Sequence, residues 1–120
     1  MGHPPKMARL GFLLALAAVS CFAADITWQP RHVTLAEAAK VGGTVLPAGE
    51  YKVEHLMRGE EHIMVFTNVD DKKLRAESKC HMLKNPEKAR RTEQAYALVD
   101  GHLTLKTLIF KGDEFVHELY

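Results

Sequence analysis

Two imidazoles, two thioethers and a thiol recur close together in this chain, at His55, Met57, His62, Met64 and Cys80. Nitrogen and sulfur donors of this softness suit Cu(I), and the sulfur-rich set makes copper the metal they would take. Spacing alone does not gather them; strand pairing would. Residues two apart on a strand share a face, so His55 goes with Met57 and His62 with Met64. The charged segment Arg58-Gly59-Glu60-Glu61 reads as the turn between them. A symmetric turn sets Met57 opposite His62 and His55 opposite Met64, on the face of Val53 and Phe66. In the next hairpin, keeping Phe66 on the face of Leu74 sets His62 opposite Cys80, with Cβ atoms ~5 Å apart. The expectation is a cross-strand cluster at one rim of the core. Methionine and free cysteine are also common core fillers, and histidine is amphipathic enough to cap a rim. His32, His81, His102 and His117 read as surface or rim residues, and Trp28 and Tyr96 as packing.

Other chemistry finds no foothold. No G-x-S-x-G turn, H-E-x-x-H helix or paired-cysteine spacing is present, and Cys80-His81 lacks the first cysteine of a haem-attachment motif. Ser78, the only serine after residue 23, reads as a small core residue in mid-strand. No nucleophile stands beside an obvious base, so the expectation is a non-enzyme. The basic residues Lys84, Lys88, Arg90 and Arg91 are interspersed with Glu87 and Glu93 and have no aromatic neighbours to stack bases. That is a solvated loop, and nucleic acid is not an expected partner.

The elements that would position these residues are strands. Residues 31–35 form a first short strand. At 34–37 Thr-Leu-Ala-Glu fits a helix capping box with Gly42 as a C-cap, while Gly42-Gly43 equally fits a hairpin turn. So short a helix is marginal without packing, which favours the hairpin. Pro47 and Gly49 then form a sharp turn, with Gly49 at positive φ, and Tyr51 and Val53 share one face. From residue 50 the period is close to two: strands at 50–57, 62–68 and 74–83, a long polar connection at 84–93, and strands at 94–99 and 102–111 around Asp100-Gly101, a strong hairpin signal. A last strand spans 115–120. Seven or eight short strands joined by tight turns imply an all-β antiparallel meander, closed as a small barrel or folded as a sandwich.

The first residues read as an address. Lys6 and Arg9 precede an uncharged apolar run at 10–19, the pattern of a secretory signal peptide with cleavage after Ala23 and too short to span a membrane. The segment Ala18-Val19-Ser20-Cys21 also fits a bacterial lipobox, in which case Cys21 would carry a lipid anchor. Either way the expected division is a leader at 1–23 and one domain at 24–120, placed in the periplasm or outside the cell. Without the leader 14 basic residues face 15 acidic ones, a balance that points to no polyanionic partner. With Cys80 alone, or with a lipidated Cys21, no intramolecular disulfide supports the fold.

The element G-G-T-V-L-P-A-G-E-Y-K-V at residues 42–53 resembles that of small exported bacterial β-rich proteins of uncharacterised function, which carry G-x-x-x-L-P-A-G-x-Y-x-V after a signal peptide. Leu105 to Phe110 and Phe115 to Glu118 are similar to that group's closing hairpin. The resemblance implies an exported β-domain and brings no catalytic motif. Three functions follow as expectations. The first is a non-enzymatic binding or envelope-associated module acting through loop ends or an open sheet edge on a protein or small ligand. The second is a soft-metal binding protein of the copper type, and the third a carrier of a small hydrophobic ligand.

Overall fold

The computed structural model describes residues 25–26 and 29–120. The expected leader at 1–23, the expected cleavage after Ala23, the candidate lipid anchor Cys21 and Trp28 lie outside the described residues. The chain is all-β. Its strands are β1 (Asp25–Ile26), β2 (Arg31–Leu35), β3 (Ala39–Val41), β4 (Thr44–Leu46), β5 (Gly49–Arg58), β6 (Glu61–Asn68), β7 (Arg75–Lys84), β8 (Glu93–Val99), β9 (His102–Ile109) and β10 (Phe115–Leu119). Among the described residues no helix is long and apolar enough to cross a membrane.

Alternation of side chains drives this outcome. Along β7, Ala76, Ser78 and Cys80 are buried while Arg75, Lys79 and His81 are exposed, the pattern of a strand with one face to water. In β5, Tyr51, Val53 and His55 face inward. At 39–46 the hairpin prevails over the helix, with Ala39 opposite Leu46 and Val41 opposite Thr44. Gly42 at its tip has φ of 61°, and a Cβ there would lie 2.1 Å from the Glu77 carbonyl oxygen. Only glycine lets this hairpin lie against β7.

The proline-glycine turn is a corner and not a hairpin. β4 pairs with β3, whereas β5 pairs with β1, β2 and β6. Leu46 and Tyr51 are buried on either side of the corner, and the Tyr51 hydroxyl donates to the Pro47 carbonyl at 2.7 Å. Gly49, at φ of 150°, has Asn68 Nδ2 3.0 Å from where its Cβ would stand. The L-P-A-G-x-Y spacing thus turns the chain and ties the turn to the strand that follows.

Two expectations about architecture are corrected. All ten strands belong to one sheet, and it is not closed: its hydrogen-bonded path runs β1-β5-β6-β7-β10-β9-β3-β4, with β2 also on β5 and β8 also on β9. Nor is it a simple antiparallel meander, because β10 inserts between β7 and β9, and β3 meets β9 in parallel at Lys40 and Thr104. The sheet nevertheless encloses one core, in which Val33 and Leu35 of β2, Phe66 of β6, Leu105 and Leu108 of β9 and Leu119 of β10 share a single cluster. A sheet with strands at both extremes packing into one cluster must coil strongly about its concave face. A side-chain clasp spans the seam: Arg31 of β2 pairs with Asp113 of the β9–β10 turn at 2.5 Å, with its guanidinium 5.0 Å from the centre of the Phe110 ring.

The long connection at 85–92 is mostly exposed and contains no helix. It is held by backbone bonds from Asn85 and Ala89 to the carbonyls of Glu114 and Asp113, and from Gly112 back to Ala89.

Candidate metal centre

The β5–β6 and β6–β7 registers place the donors as strand logic requires. His55 is opposite Met64, Met57 opposite His62, and His62 opposite Cys80. His55, Met64 and Cys80 are buried and His62 is half-buried at the edge of the group. The Nε2 of His55 lies 3.0 Å from Nδ1 of His62 and 3.9 Å from Cys80 Sγ. One of the two facing imidazole nitrogens therefore carries a proton and donates to the other.

The missing member is His117. It was expected at the surface or rim, and it is 4% exposed. Its ring stands edge-on to His55 with centroids 5.2 Å apart, and Phe110 packs edge-on against it at 5.9 Å. β10 is separated from β5 by β6 and β7, which in a flat sheet is a distance of about 14 Å. Coiling of the sheet closes that distance across the concave face. The ligand atoms of His55, Cys80 and His117 all lie within 4.8 Å of one another. Donors around one Zn(II) or Cu(I) stand ~3.5 Å apart, so rotamer adjustments of about an ångström would complete the contact. Met57, half-buried opposite His62, does not line the cavity next to this trio.

That cavity, of about 20 Å³, is walled by His55, His117 and Met64 together with Arg31 and Asp113 of the clasp. It has room for one water-sized guest. The Nδ1 of His117 is buried and has no hydrogen-bond partner among the described residues, a costly arrangement for a polar atom.

Burial favours the neutral form of His55 and His117. Burial, reinforced by the charges of His117 and His62, lowers His55 from 6.5 to about 4. Burial also lowers His117 to about 4; the Asp113 carboxylate opposes the shift, while Arg31 and His62 add to it. Near neutrality both present lone pairs, the state in which imidazole binds metal. Burial pushes the Cys80 thiol up to about 11, so it stays protonated until a cation displaces its proton.

The signal that could have found His117 is the alternation of β10. His117 and Leu119 share its buried face, and Leu119 is opposite Cys80. Placing β10 beside β7 makes His117 the diagonal neighbour of Cys80. Comparison of the chain with protein-family models, curated proteins and solved structures finds no match.

Proposed function

We propose that this is an exported, non-enzymatic binding domain whose ligand is a soft metal ion held by His55, Cys80 and His117, with copper the metal its donors suit best. The observation that supports it is the convergence of these three buried ligand atoms to within 4.8 Å on three strands of one coiled sheet. The imidazole of His55 stands against those of His62 and His117, with ring centroids 5.1 and 5.2 Å apart. A metal would repay that arrangement by taking the nitrogen lone pairs and the sulfur together. His62, half-buried and in contact with His55, is the group through which an ion would enter.

The test is a Cu(I) and Zn(II) titration of the domain under reducing conditions. One ion per chain is expected, with affinity weakened by about two orders of magnitude or more in Cys80→Ser and His117→Gln and unchanged in His81→Gln, which alters an exposed histidine. Absence of binding would refute the proposal.

A second reading, recognition of another chain through an open sheet edge, is favoured by β8. Among the described residues this strand pairs only with β9, and its Leu98 is 74% exposed. Open apolar edges accept further strands. Slower amide exchange across Glu93–Val99 at higher protein concentration would support strand addition by a second copy; fast, concentration-independent exchange would contradict it. The hydrophobic-carrier reading draws no support from two cavities among the described residues. The internal one is about 20 Å³, and the larger groove of about 680 Å³ is an open surface feature beneath Lys88, Arg90 and Arg91.

A further inference from the structure

We infer that the site, once loaded with copper, is a one-electron redox centre and not merely a store for the ion, an inference that rests on the metal-binding reading above. Three observations lead there. The donor set is two imidazoles and one cysteine, with a methionine beside them: Met64 is fully buried, faces His55 directly across the β5–β6 pair, and shares the small cavity with His55 and His117. Two imidazoles and a thiolate with a weakly interacting thioether are the ligands that give copper a geometry intermediate between those favoured by Cu(I) and Cu(II). Zinc would use the first three donors and has no need of the fourth.

The second observation is where the ligands sit. All four residues lie inside strands, on β5, β6, β7 and β10, and none is on a loop. Their backbones are held by ladder hydrogen bonds on β5–β6, β6–β7 and β7–β10. With their backbones fixed, the ligands can adjust by rotamer shifts but cannot open out to the tetragonal arrangement Cu(II) prefers, so electron exchange would need little reorganisation. Third, the group has one half-buried edge. His62 touches His55 with ring centroids 5.1 Å apart, which puts a conjugated side chain between the buried centre and solvent. That suits outer-sphere exchange with a small or protein-borne electron acceptor that never contacts the metal.

The chemistry balances simply. On loading with Cu(I), the Cys80 S–H bond breaks, a sulfur–copper bond forms, and the proton leaves to solvent. In the redox step Cu(I) gives one electron to a one-electron acceptor and becomes Cu(II), with no bond to the protein made or broken.

The experiment is to load the full domain with Cu(I) without oxygen, confirm stoichiometry, and oxidise it with ferricyanide while recording optical and paramagnetic resonance spectra. The expected result is reversible uptake of one oxidising equivalent, an intense visible thiolate-to-copper band and an unusually narrow copper hyperfine splitting. Cys80→Ser should abolish the band, whereas Met64→Leu should keep it and raise the midpoint potential, because losing the thioether disfavours Cu(II). Thermal melting of both variants separates these effects from misfolding, and His117→Gln supplies a second ligand deletion if Cys80→Ser does not fold. Stoichiometric Cu(I) binding followed by a weak, ordinary tetragonal Cu(II) spectrum, or by oxidation of the Cys80 thiol, would overturn the redox inference and leave metal binding standing. Failure to bind Cu(I) at all would overturn both.

Discussion

The inner face of the β5–β6–β7 ribbon has two ends that are built differently. At the Tyr51 and Asn68 end, polar atoms are matched to backbone: the Tyr51 hydroxyl donates to Pro47, and Asn68 Oδ1 accepts from the N–H groups of Asp70 and Asp71, both at 2.9 Å. At the other end, histidines and a thiol face one another, and His117 Nδ1 has no partner among the described residues. Satisfied polar groups rigidify a fold, whereas a half-satisfied cluster in a buried place costs stability. The first end is therefore a structural clamp. The second gathers three buried ligand atoms within 4.8 Å of one another, the arrangement on which the proposed metal site rests.

The largest effect is expected between the two ends, where the tip of the β3–β4 hairpin meets β7 at Glu77 and Ser78. Gly42→Val drives a Cβ into the Glu77 carbonyl at a residue with positive φ, and should cost more than ~3 kcal/mol. Chemical denaturation measures it, and a near-neutral result would mean that β3–β4 does not lie on β7 as described.

Acid should act at the other end. His55 and His117 have folded pKa values near 4 against an ordinary 6.5. The unfolded chain therefore binds protons first as pH falls. Stability from these groups is fully present above pH 6.5 and is lost progressively down to about 4, by on the order of 3 kcal/mol per histidine. The double variant His55→Leu/His117→Leu should flatten urea-denaturation stability across that window. A slope equal to that of the parent would place the acid sensitivity elsewhere.

Smaller effects separate the ends by function. Asn68→Ala should cost about 1–3 kcal/mol, because two turn N–H groups lose their acceptor, and Tyr51→Phe about 1 kcal/mol; both should leave metal affinity unchanged. His117→Leu should change apo stability least, within about 1 kcal/mol and toward stabilisation, since it removes a buried polar atom without a partner. It should nonetheless abolish tight metal binding. Calorimetric titration of the three variants side by side tests whether stability and binding divide between the two ends.

How much of this was legible in the chain follows from the range of each interaction. The pairing of His55 with Met64 and of His62 with Cys80 could be read because a short charged turn and strict alternation transmit register from one strand to the next. The positive φ of Gly49 was legible for a similar local reason. The alternation of β10 turns His117 inward, but its approach to His55 was not legible, because it depends on where β10 inserts and on how far the sheet coils, and neither leaves a trace in periodicity. The same blindness covered the open path of the sheet and the parallel meeting of Lys40 with Thr104. Met57, on the same face as His55 and in the same row as His62, does not line the cavity beside His55 and His117.

The most direct test of the central claim is thermal melting of the parent domain and of His117→Leu, each without metal and with saturating Cu(I) under reducing conditions. An ion bound only by the folded state must raise the melting temperature. The account predicts a clear rise for the parent and none for His117→Leu, whose apo form melts at or above the parent's temperature. No shift in the parent, or an equal shift in both, would contradict a metal centre built on His55, Cys80 and His117.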